Sequence, residues 1–169
     1  MKNIIGNTLN SLPKELHKIG DLFYLYYSIR SLYRTNKGEL YICTWVERDD
    51  LYSRWLLFKA IREDVLDYVD TKISSLQLVK NAVEPLICFD VDEHRNNNNI
   101  VACLFNDLPL SYLPKPSAMF NEDNAPDIET IRSYLIENVP QMQPSLERNY
   151  LFNGKKNPPI YSQKVPIQL

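Results

Sequence analysis

Arg30 to Phe58 reads RSLYRTNKGELYICTWVERDDLYSRWLLF, and this stretch decides the fold class. Aromatic and β-branched residues fill three runs, and two polar segments, Asn36-Lys37-Gly38 and Glu47-Arg48-Asp49-Asp50, punctuate them. Runs of this composition bounded by turn residues predict three successive antiparallel strands. Within Leu40 to Val46, alternation sets Leu40, Ile42, Thr44 and Val46 on one face and Tyr41, Cys43 and Trp45 on the other. Both faces are largely apolar, so this strand is expected at the centre of a sheet, covered on each side.

Upstream, Pro13 suits the opening of a short helix from Lys14 to Ile19. The apolar run Asp21 to Tyr27 (DLFYLYY) is too short for its period to separate helix from strand. Downstream, Ile61, Val65, Leu66 and Val69 recur at helical spacing, with Glu63 and Asp64 placed to face the positive end of the helix. Ile73, Leu76, Val79 and Val83 predict a second helix, with Thr71 or Ser74 as cap and Pro85 as its stop. Leu86 to Val91 and Ile100 to Phe105 read as a strand pair across DEHRNNNN, whose asparagines suit a loop. Asp127 to Val139 reads as an amphipathic helix, with Ile128, Ile131, Leu135 and Val139 on one stripe.

Residues 140–169 hold five of the eleven prolines and no helical period, which predicts an extended arm. With 169 residues, 44% of them hydrophobic, the remainder can bury one core. The expectation is therefore a single α+β domain over 1–139 and a Pro-rich C-terminal arm over 140–169. Its sheet is mostly antiparallel with about five strands. Two short helices are inserted after the third strand, and the later amphipathic helix precedes the arm.

Several function classes are disfavoured by composition. No apolar run reaches the roughly 20 residues needed to span a bilayer, and the N-terminal stretch lacks the apolar core of a secretory signal. Cys43, Cys88 and Cys103 are odd in number and widely spaced, which suits free thiols in a reducing, cytoplasmic setting. Net charge is −2, but residues 1–62 carry +4, 63–137 carry −9 and 138–169 carry +3. An acidic middle argues against a phosphate-binding surface and suits either internal complementarity or a basic partner.

Asp90, Asp92 and His94 alternate along one strand face, and hard cations favour such oxygen donors, so they are the candidate metal ligands. No CxxC pair accompanies them, and His17 lies far from His94 in sequence. Four glycines form no phosphate-binding loop, and no nucleophile motif surrounds any serine or cysteine, so no catalytic residue and no cofactor is predicted. Tyr24, Tyr26, Tyr27, Arg30, Tyr33 and Arg34 interleave rings with guanidinium groups, as a single-strand binder would. In the arm, Ile160, Tyr161, Val165, Ile167 and Leu169 are candidates for contact with a protein partner or a second copy of the chain.

The segments RTNKGELYICTWVERDD, SRWLLFKA, REDVLDYVDTKISSLQLV and LICFDVDE, taken together, resemble a family of small uncharacterised bacterial proteins over roughly residues 28–115. The resemblance lies in strand aromatics and turn residues, so it implies a fold and carries no activity. Function is expected to be that of a non-catalytic protein-interaction module, an accessory or immunity-type subunit of a bacterial system. The alternatives are a metal-dependent hydrolase or nuclease using Asp90 and Asp92, and single-stranded nucleic-acid binding.

Overall fold

The computed structural model of the chain describes Pro13 and residues 15–137. Six strands form one antiparallel sheet in the order of the chain: β1 (His17–Leu25), β2 (Tyr27–Arg34), β3 (Leu40–Arg48), β4 (Tyr52–Ala60), β5 (Val83–Asp92) and β6 (Asn97–Cys103). Helices α1 (Arg62–Val69) and α2 (Ser75–Lys80) intervene between β4 and β5, and α3 (Ile128–Glu137) follows three single 3-10 turns. The protein is thus a mixed α+β fold on an antiparallel sheet.

β3 is interior, between β2 and β4, and its alternation falls as its sequence predicts. Leu40 and Ile42 face the helices beside Leu32 of β2, Leu56 and Phe58 of β4 and Leu86 of β5. Val65, Tyr68, Leu78, Ile131 and Leu135 close that layer from the helices. The opposite face buries Tyr33, Cys43, Leu57, Ile87 and Phe89, with Tyr41 and Trp55 half-buried among them. Leu16, just ahead of β1, packs on this second cluster. Burial pushes both the Cys43 thiol and, with help from Glu39, the Tyr41 hydroxyl up to about 12.

Arg30 of β2 points under the helices and ties the layers together. Its guanidinium donates to Tyr68 Oη at 2.6 Å and to Ser75 Oγ at 2.9 Å, and it lies over the Tyr68 ring. Tyr68 in turn meets Phe120 edge-on. A second clasp joins α1 to α3, where Arg132 donates to Asp70 Oδ1 and to the Val69 carbonyl, and Arg62 donates to the Leu135 carbonyl. The Ser74 side chain accepts from the Gln77 amide and caps α2, as expected, whereas Thr71 takes a left-handed φ of 58° and is no cap.

Several boundaries differ from the sequence expectation. The sheet has six strands, because Asp21 to Leu25 belongs to β1. His17 to Ile19 begin that strand, and so do not form the end of a short helix. The helices consequently follow the fourth strand. What makes β1 a strand comes from its partner strand: the Asp21 carboxylate accepts from Ser31 Oγ at 2.5 Å and from Ser28 Oγ of β2, while Lys18 of β1 itself pairs with it at 2.8 Å. Asn97, Asn98 and Asn99 lie within β6, so the loop they were expected to form shrinks to Glu93–Asn96. Val83 and Pro85 open β5 and do not close a helix. β6 ends at Cys103, and Phe105 belongs to a 3-10 turn. The proposed arm, with Ile160, Tyr161, Val165, Ile167 and Leu169, lies outside the described residues, as do the last residues of the expected Asp127–Val139 helix.

α3 crosses β1 at Gly20, and the approach leaves no room for a side chain. A Cβ there would stand 2.6 Å from Asp127 Cβ and 3.1 Å from Ile131 Cγ1, while the Asp127 carboxylate accepts the neighbouring Asp21 amide at 2.8 Å. Gly20→Ala is expected to force α3 outward and cost about 1–3 kcal/mol. Gly38→Ala meets nothing within 4 Å and carries only the cost of a left-handed φ of 80°, about 1 kcal/mol. Denaturant melts of the two variants should rank them in that order; equal losses would mean that the helix does not bear on Gly20.

Candidate functional site

Pairing register brings three hairpin turns to one end of the sheet. Leu25 pairs with Tyr27 around Tyr26, Arg48 pairs with Ser53 around the β3–β4 turn, and Tyr52 pairs with Asp92 beside the β5–β6 turn. The candidate metal ligands and the exposed tyrosines therefore share this end.

The β1–β2 tip is apolar and unusually open. Tyr26 is 97% exposed and takes a left-handed φ of 60°, a conformation that a bulky side chain rarely adopts. Tyr24 donates its hydroxyl to the Tyr26 carbonyl at 3.1 Å, which holds the tip without engaging the Tyr26 ring. Tyr24, Leu25 and Tyr27 are each about half exposed, and Tyr27 packs edge-on against Trp45 of β3. Leu51, on the adjacent turn, is 71% exposed.

The β3–β4 turn is built by Asp49. Its carboxylate accepts the amides of Leu51 at 2.9 Å and Tyr52 at 2.8 Å. These amides, the Leu51 bond first and Arg54 after them, hold its carboxyl below the usual range. Arg54 then gathers the carboxylates around itself: Glu47 in direct contact, Asp49 at 2.9 Å and Asp90 at 3.8 Å. The Glu47 contact raises the Arg54 pKa most strongly. Asp90 is buried and also accepts from Asn99 Nδ2 at 2.8 Å.

Asp92 is spent on its own turn. It accepts the amides of Asn96 and His94 and the side-chain amides of Asn96 and Asn98. The Asn96 amide is the largest cause that lowers its pKa. His94 projects outward, and its nearest carboxylate is that of Glu93. Asp90, Asp92 and His94 thus have three separate surroundings. Asp90 does converge with Glu47 and Asp49, but onto a guanidinium. Among the described residues no group of three or more histidine, cysteine, aspartate or glutamate side chains could hold a metal ion.

The tyrosine-arginine strip is also divided. Alternation along β2 sends Arg30 under the helices, while Tyr33 is buried in the opposite cluster. Arg34 lies over the Tyr134 ring of α3. Tyr24, Tyr26 and Tyr27 stay together at the tip without either arginine. Neither the Arg54 hub nor the Arg30 node was legible in the sequence, since each depends on cross-strand or cross-layer register.

Among the described residues no helix is long and apolar enough to cross a membrane. No protein-family model, no curated protein and no solved structure matches the chain.

The lowered pKa values of Asp49 and Asp92 have a consequence for stability. A carboxyl whose folded pKa lies below its unfolded value stabilises the fold above the ordinary value of 3.8, and that contribution is lost as pH falls through the lowered folded value. Asp92→Asn should therefore be less stable than wild type at pH 7, with the gap narrowing as pH drops below about 4. Urea melts across that range check it; a gap that stays constant with pH would remove ionised Asp92 as its cause.

Proposed function

We propose that the protein is a non-catalytic protein-interaction module, of the accessory or immunity-subunit kind, that docks through the hairpin end of its sheet. The observation that carries this reading is Tyr26. A tyrosine held almost fully in solvent at a left-handed φ contributes little to its own fold, and amphipathic aromatics of this kind anchor protein interfaces when buried by a partner.

The chemistry around it describes the partner. Around the β3–β4 and β5–β6 turns, Glu47, Asp49, Asp50, Asp90, Asp92 and Glu93 outnumber Arg48, Arg54 and Arg95 by six to three. Such a rim favours a protein surface with an apolar pocket for Tyr26, Tyr27 and Leu25 beside a basic patch. The alternating Val165, Ile167 and Leu169 of the C-terminal segment offer that partner, or a second copy, a further contact of the strand-addition kind. Metal-dependent hydrolysis through Asp90 and Asp92 draws no support from the arrangement around Arg54.

A photo-crosslinking phenylalanine derivative placed at position 26, in cells of the native host, tests the reading. A control carries it at Leu110, which is 85% exposed and lies on a 3-10 turn outside the three hairpins. The expected result is one discrete protein adduct from position 26, none from 110, and loss of the adduct in Asp50→Lys/Glu93→Lys. Equal adducts from both positions, an adduct indifferent to the charge reversal, or no adduct would overturn it. An adduct only with a second copy of the chain would replace the basic partner with self-association.

A further inference from the structure

Two of the three cysteines meet at the opposite end of the molecule's β5–β6 hairpin from its turn. Cys88 lies opposite Val101 and Cys103 opposite Leu86, so the two are diagonal neighbours on the helix-covered face. Their Sγ atoms stand 3.9 Å apart. Cys88 is buried, whereas Cys103 is half-buried and ends β6, the edge strand of the sheet. Cys43 sits on the other face and belongs to the other cluster.

We propose that Cys88 and Cys103 are an oxidation-sensitive dithiol that closes to a reversible intramolecular disulfide when the protein meets hydrogen peroxide. Closing requires the sulfurs to approach from 3.9 Å to about 2.05 Å. Cys103 can supply that movement, because only one side of β6 is held by a strand. Cys103 is also the more accessible sulfur, and a hydrogen bond from Cys88 lowers its pKa against the opposing effects of burial, Asp107 and Glu84.

The chemistry balances with peroxide as oxidant. The Cys103 sulfur attacks one peroxide oxygen, the O–O bond breaks, and the second oxygen leaves as water with the thiol proton, giving a sulfenic acid. The Cys88 sulfur then attacks the Cys103 sulfur. The S–O bond breaks as the S–S bond forms, and the hydroxyl leaves with the Cys88 proton as a second water. The product pins the edge strand to β5, and a thiol reductant restores both cysteines.

The test is a thiol count and a peptide map on the folded full chain after brief exposure to hydrogen peroxide. Free thiols should fall from three to one, the mapped link should join Cys88 to Cys103 within one chain, and dithiothreitol should return all three. Cys88→Ser should stop at a sulfenic acid on Cys103 that dimedone traps, and Cys103→Ser should keep both remaining thiols under the same exposure. Three thiols retained by the wild-type chain, a link through Cys43, or a link between chains would overturn the proposal. The wild-type count and map need no variant to fold.

Discussion

The register between β3 and β4 is the constraint on which the rest of the structure depends. Ile42 stands opposite Phe58 and Cys43 opposite Leu57, so each cross-strand pair serves one of two apolar layers. Because side chains alternate, a slip of one residue would pair Ile42 with Leu57 or Lys59, put the apolar set of one of the two strands on the wrong face and leave its partners on α1, α2 and α3 uncovered. The same pairing sets Arg54 beside Glu47 and, through β5, beside Asp90. Core packing therefore also determines the electrostatics at the hairpin end. Arg30 reinforces the arrangement from β2, since its bonds to Tyr68 and Ser75 exist only if its strand presents that face to the helices.

Electrostatics at that end settle how its carboxylates are used. Clustered acidic groups repel one another unless a cation or hydrogen-bond donors compensate them. Here a guanidinium takes the cation's place, with Asp49 and Glu47 bound to it and Asp90 close by. Asp92 is compensated instead by amides of its own turn. The carboxylates thereby shape turns and fix the hairpins, and what stays open to solvent is the apolar tip from Tyr24 to Tyr27, above all the Tyr26 ring. Exposed apolar surface beside ordered acidic turns is a pattern suited to recognition.

Much of the fold could be read from the sequence because it is local. The strands around Leu40–Val46 and Arg54–Lys59, both inserted helices, the Ser74 cap and the stripe of α3 all follow from alternation, spacing and capping chemistry. β1 could not be read this way. Its seven-residue apolar run fits either helix or strand, and what decides is Asp21 reaching Ser31 and Ser28 across the ladder, with α3 seated on Gly20. The asparagine run misled for the opposite reason: residues with loop propensity were drawn into β6 by pairing with Asp90 and Val91. At the candidate site, composition marked the acidic turns but not their occupant, because Arg54 meets Asp90 only through the pairing of β4 with β5, strands that two helices separate in the sequence.

Tyr26→Gly measures most directly whether the proposed docking role of Tyr26 comes at some expense to the fold. Glycine relieves the left-handed backbone, whose cost for other residues is about 1–2 kcal/mol, and leaves the Tyr24 bond to the residue 26 carbonyl in place. Part of the gain is offset by the greater freedom of glycine in the unfolded chain. Chemical denaturation of the isolated protein should show the variant equal to wild type or more stable by up to about 1 kcal/mol. A loss of more than about 1 kcal/mol would show that the Tyr26 side chain supports the fold itself, which contradicts such an expense.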